Sequence, residues 1–222
     1  MISKLPRWLE LGAFILAAIA GCVNAVGLLG FEHQSVSHLS GTASLLGASM
    51  FNASWVSVFH FAGILLSFFV GAALSGLLLH GSALKLGRHY DTALLIESVL
   101  LLSACYALTK GQFYGHYLAS AACGLQNSMA TTYSGAVVRT THVTGLFTDL
   151  GIMLGASLRG EAFDKRKAVL FLIIIIGFIL GGTLGAFLFK AVSFLALIVP
   201  AGACVVLAVA YRVYTSRVRR CT

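Results

Sequence analysis

Two histidines in closely similar settings are the residues of this chain best placed to do chemistry. His38 lies in Ser37-His38-Leu39-Ser40-Gly41-Thr42-Ala43-Ser44-Leu45-Leu46-Gly47, and His142 in Thr141-His142-Val143-Thr144-Gly145-Leu146-Phe147-Thr148-Asp149-Leu150-Gly151. The order hydroxyl, His, aliphatic, hydroxyl, Gly recurs. A further hydroxyl, a Leu and a second Gly follow at matching offsets. Each imidazole offers a donor, an acceptor or a titratable proton; the plainer reading is that each ties its loop to a neighbouring helix. Ser40 and Thr144 precede apolar runs and suit helix N-caps. Gly41 and Gly145 permit an unusual turn or a close backbone approach. Upstream, Gly21-Cys22-Val23-Asn24 is echoed by Gly124-Leu125-Gln126-Asn127. Asn24 and Asn127 are therefore matching amides, which either line a pathway or hydrogen-bond interrupted backbone. Two carboxylates, Asp149 and Glu97, stand in apolar surroundings and are candidates for handling a proton or cation. Their structural alternatives are an ion pair from Asp149 to Arg139 and a hydrogen bond from Glu97 to a neighbouring helix.

The elements that position these residues must be membrane helices. Of the 222 residues, 59% are hydrophobic and 10% charged, against roughly a quarter charged in soluble domains. The lipid bilayer is therefore the expected surrounding, with 1–222 as a single membrane domain. The net charge of +8 does not point to nucleic acid, because Lys and Arg gather at segment ends as the positive-inside rule requires. Cys22, Cys105, Cys123, Cys204 and Cys221 show neither metal spacing nor a disulfide framework, and read as small apolar residues. Lys4 and Arg7 precede a run ending in Ile19-Ala20-Gly21-Cys22, which looks like a lipoprotein cleavage box. Its recurrence around Gly124 favours a retained first helix.

The pattern predicts apolar segments over about 9–30, 56–79, 92–108, 113–132, 168–189 and 192–211, with two shorter ones following the motifs, 40–51 and 144–158. The short segment 40–51 covers roughly 18 Å, against a hydrocarbon core of about 30 Å. The basic regions are the N-terminus, the loop with His80, Lys85, Arg88 and His89, the loop with Arg159, Lys165, Arg166 and Lys167, and the tail with Arg212, Arg217, Arg219 and Arg220. If all four are cytoplasmic, the chain crosses an even number of times between neighbouring basic regions. One segment in each interval of three then does not cross, and the short motif segment is the natural choice. The expectation is an all-α fold of six transmembrane helices plus two short re-entrant half-helices. Its halves, about 8–108 and 112–212, form an inverted-topology internal repeat with both termini cytoplasmic. Gly71-Ala72-Ala73-Leu74-Ser75-Gly76 lines up with Gly181-Gly182-Thr183-Leu184-Gly185-Ala186 in support. The alternative is eight crossings with parallel halves, which places Lys85 and Arg88 outside.

Two half-helices entering from opposite faces would bring their N-terminal ends, with free N–H groups and partial positive charge, together near the midplane. Channels and transporters bind anions and polar solutes in this way. The substrate pathway would then involve His38, Ser40, Gly41, Thr42, His142, Thr144, Gly145, Asn24 and Asn127, with Asp149 and Glu97 as proton or ion carriers. The expected function is a channel or secondary transporter for a small solute or ion, an anion or weak acid in the first instance, with no cofactor and no enzymatic activity. A homo-oligomer is compatible with it. The competing readings are a structural or partner-binding membrane protein, and a haem or metal enzyme using His38 and His142 as paired ligands.

The chain resembles the YoaK-like family of bacterial membrane proteins over nearly its whole length. The resemblance rests on Gly21-Cys22-Val23-Asn24-Ala25, on Ser40-Gly41-Thr42 with Gly47, and on Thr140-Thr141-His142-Val143-Thr144-Gly145. The family often has Asp where this chain has Asn24, and Asn where it has Thr42. The resemblance implies a six-helix protein of the bacterial inner membrane and supplies no activity.

Overall fold

A computed structural model describes residues 8–30, 37–79, 89–134 and 139–220. The expected basic residues Lys4, Arg7, His80, Lys85 and Arg88 lie outside the described residues. All regular structure among the described residues is helical: α1 Trp8–Gly30, α2 Leu39–Phe51, α3 Trp55–Leu78, α4 Tyr90–Thr109, α5 Gly115–Ser134, α6 Val143–Leu158, α7 Lys165–Val192 and α8 Ile198–Arg220, with a 3-10 turn at Ser193–Leu197. Four stretches are long and apolar enough to cross a membrane: Glu10–Gly30, Trp55–Leu78, Tyr90–Thr109 and Lys165–Ser216. The last contains both α7 and α8, parted where Ser193 adopts a φ of 54°. The chain is thus a helical membrane protein. Its shorter apolar helices, α2 and α6, have 13 and 16 residues, or about 20 and 24 Å. α5 is absent from the four because it carries His116, Ser120, Gln126 and Ser134. It buries all of these within the bundle rather than showing them to lipid.

Packing pairs α1 with α7 and α3 with α5, while α4 lies against both α5 and α8. Lipid tails are as apolar as leucine, so membrane helices associate by close backbone approach at small residues. That is how both main pairs are made. A Cβ on Gly21 would strike the Phe178 carbonyl, and one on Gly181 the Ala18 carbonyl. In the other pair, Gly124 faces the Phe68 carbonyl and Gly71 the Ala121 carbonyl. The sequence separation of Gly21 from Gly124 equals that of Ala18 from Ala121, and that of Phe68 from Phe178 equals that of Gly71 from Gly181. α1 therefore meets α7 as α5 meets α3, position for position. Both pairs run parallel.

The cores separate by level. The later parts of α1 (Val23, Val26) and α4 (Leu101, Leu108) pack with the early part of α5 (Ala119, Cys123) and the start of α8 (Ala201, Cys204). Leu79 after α3 and the early α4 residue Leu94 pack instead with the later parts of α5 (Leu125, Met129) and α8 (Ala208). α4 and α8 are antiparallel, and the rings of Tyr90 and Tyr211 stand 6.0 Å apart at one end of the pair. A third cluster joins the start of α7 (Leu170, Phe171, Ile174) to Ala13 and Ala17 of α1 and to Leu146 of α6.

Candidate functional site

The two motif histidines stand at equivalent places, each immediately before its helix. His38 is the N-cap of α2, and its Nδ1 accepts the Gly41 N–H at 3.4 Å. His142 is the N-cap of α6; it makes no side-chain cap bond, and its ring lies where a Cβ on Gly145 would stand. This corrects the expectation that Ser40 and Thr144 are the caps. Both lie in the first turn, and at α2 the His38 imidazole supplies the acceptor that a free N–H group needs. Ser40 turns its hydroxyl to His38 Nδ1 at 3.1 Å. One turn further on, Ser44 donates to the Ser40 carbonyl and Thr148 to the Thr144 carbonyl, each at 3.0 Å. Thr42 is buried and donates to the His38 carbonyl at 3.4 Å.

Side-chain amides fasten both motifs to the helix before them. Ser37 Oγ donates to Asn24 Oδ1 at 2.6 Å. Thr140 Oγ1 donates to Gln126 Oε1 at 3.5 Å, and Gln126 Nε2 donates to the Leu16 carbonyl of α1 at 3.2 Å. Asn24 thus takes a motif hydroxyl. In the second half Gln126 does this work, while Asn127 Oδ1 is buried without a hydrogen-bond partner. Asn24 lies about 9 Å back along α1 from Gly30, and Gln126 about 12 Å back along α5 from Ser134. Ser37 and Thr140 are thereby held well down the flanks of α1 and α5. Leu16 and Asn24, the two α1 levels involved, are about 12 Å apart.

α2 and α6 do not pack side by side. The main partner of α2 is α3, and α6 makes a slight contact with α7. His38, Ser40, Gly41, His142 and Thr144 are accessible, with Gly145 half-buried. Asp149 is half-buried on α6, and among the described residues no ion pair joins it to Arg139. Glu97 belongs elsewhere. It is 2% exposed on α4, with the buried Cys204 thiol of α8 beside it. A further polar group was not anticipated as a unit. His60 Nδ1 lies 3.3 Å from the Tyr117 hydroxyl, and the His60 and His116 rings stand 5.2 Å apart between α3 and α5. No spacing in the sequence joins these residues; only the α3–α5 pairing does.

The arrangement offers two polar helix starts set into an apolar bundle, each held by an amide. No curated protein and no solved structure matches the chain. A family model matches residues 12–210, nearly the whole chain. The chain belongs to that family, described as Protein of unknown function (DUF1275).

Proposed function

We propose that the protein is a channel or secondary transporter of the bacterial inner membrane, carrying a small solute such as an anion or weak acid. Its site lies between α1 and α5, bracketed by the two motifs. In this reading α1, α3, α4, α5, α7 and α8 cross the bilayer, α2 and α6 are re-entrant, and the halves are inverted repeats. The observation that carries it is the exchange of partners: α1 on α7 and α5 on α3, through corresponding glycines. Such packing is what two inverted halves produce when each lends a helix to the other, and transporters built this way bind at the repeat interface. The hydroxyls of Ser37 and Thr140, held by Asn24 and Gln126 along the flanks of α1 and α5, support re-entrant motif segments. Non-helical backbone at that depth belongs inside protein or beside a wet cavity. The free N–H groups and hydroxyls of the two helix starts suit an anionic or strongly polar solute.

The test is flux into liposomes holding the purified protein, screened across small inorganic anions and carboxylic acids. At least one solute should enter faster than into protein-free liposomes. His38→Ala and His142→Ala should each slow it by about tenfold or more, the scale of a lost 1.4 kcal/mol interaction. Absence of flux across the screen would sink the reading in favour of a partner-binding membrane protein.

A further inference from the structure

Glu97 is the most deeply buried charged-type side chain described, at 2% exposed, and its Oε2 has no hydrogen-bond partner. It stands about 10 Å inside α4 from Tyr90. Cys204 stands the same distance back along α8 from Tyr211, so the two side chains meet across the antiparallel pair. The Cys204 thiol lies beside the Glu97 carboxyl, whose Oε2 is buried without a partner.

Among the described residues nothing around Glu97 balances a negative charge. Of the elements packed on α4, α5 presents Cys123, α8 presents Cys204, and the 3-10 turn presents no titratable group. On α4 itself the other carboxylate, Asp91, is in the first turn, nearly two turns away, and Cys105 lies about two turns further on. Among the described residues no Lys, Arg or His forms an ion pair with Glu97. Nor do Glu97 and the thiols make a group able to hold a metal ion. A carboxylate left unpaired inside a bundle costs several kcal/mol, and such a group resolves this by taking up a proton. An acid kept only for packing would be replaced at lower cost by Gln or Leu, and ionisable residues in membrane segments mark ion and proton pathways.

We propose that Glu97 is a proton-binding site between α4 and α8: it holds a proton while the pair is closed and releases it when the pair opens to water. The proton sits on Oε2, the oxygen without a partner. The purpose of the site, to couple solute movement to protons, rests on the transport reading; its existence does not.

The experiment is an infrared pH titration of the protein in phosphatidylcholine–phosphatidylglycerol bilayers, with the Glu97→Gln spectrum subtracted. The expected result is a protonated-carboxyl carbonyl band at neutral pH that gives way reversibly to carboxylate bands as pH rises. Cys204→Ala should shift that band, because the carboxyl loses the thiol beside it. Should Glu97→Gln fail to fold, Glu97→Asp moves the band and serves the same subtraction. A carboxylate already ionised at neutral pH would overturn the proposal. So would a carbonyl band that survives unchanged until the amide bands report unfolding. A band that titrates in a protein showing no flux overturns the transport reading alone; measurable flux beside a band that does not titrate overturns the proton site alone.

Discussion

Gln126 and Asn127 are neighbours on α5 with opposite energetic roles. Gln126 is 1% exposed, donates to α1 and accepts from Thr140, which is itself fully buried. Hydrogen bonds between membrane helices average about 0.6 kcal/mol and reach about 1.7, and truncation also removes the acceptor of the buried Thr140 hydroxyl. Gln126→Ala should therefore destabilise by about 1–2 kcal/mol, read as a lower Tm in detergent. Asn127 carries a buried oxygen with no partner, so Asn127→Ala should leave Tm unchanged or raise it. If Asn127→Ala nevertheless lowers solute flux, its place beside the second motif is functional. Equal losses of Tm in both variants would overturn this division. The sequence points to the pair Gly124 to Asn127 but not to which amide does the fastening. That choice is set by the rotation of α5 about its axis, which depends on α3 and α4 rather than on α5 alone. The His38 cap was hidden for a related reason: its imidazole reaches the Gly41 N–H only from the non-helical backbone that His38 itself adopts, with φ −94° and ψ 73°.

At the scale of the element, helix positions follow from apolar length and punctuation, and the observed boundaries lie within about three residues of the expected ones for most segments. α8 departs more, since its first residues form the 3-10 turn instead. Hydropathy alone misses α5, because a helix can be polar at membrane depth if its polar side faces protein. The glycines separate into two kinds. Gly21, Gly71, Gly124 and Gly181 touch carbonyls of the facing helix, whereas Gly47 and Gly151 have open space. Gly21→Ala and Gly124→Ala should each force two backbones apart and cost about 1–3 kcal/mol, by similar amounts because their contacts correspond. Gly47→Ala should be neutral or stabilising by up to about 1 kcal/mol, through helix propensity. Thermal unfolding of the three variants in one detergent checks this. A Gly124→Ala protein as stable as the unaltered one would mean that α3 and α5 are not in the contact described.

The whole molecule is where sequence reasoning reaches least far and where one measurement decides most. Alternating basic loops imply six crossings, but the loop at 80–88 carries that inference and lies outside the described residues. Three-dimensional contacts supply an independent reason. Tyr90 opens α4 and Tyr211 falls late in α8, and their rings meet. With six crossings both lie at the cytoplasmic face. With eight, α4 would start outside while α8 ends inside, and the two rings would be a bilayer apart. The two levels of core packing agree: the later parts of α1 and α4 share one cluster with the early part of α5, as six crossings require. Asn52 and Gln112, both exposed between helices, discriminate the topologies, since both lie outside with six crossings and inside with eight. Glu161, in the basic loop before α7, is inside either way. In a background lacking the native cysteines, Asn52→Cys and Gln112→Cys should react in intact cells with a membrane-impermeant maleimide, and Glu161→Cys only after lysis. Labelling of Glu161→Cys alone in intact cells would reverse the whole orientation. If all three positions are protected until lysis, the halves run parallel, α2 and α6 cross, and the paired helix starts lose the inverted frame that makes them one site.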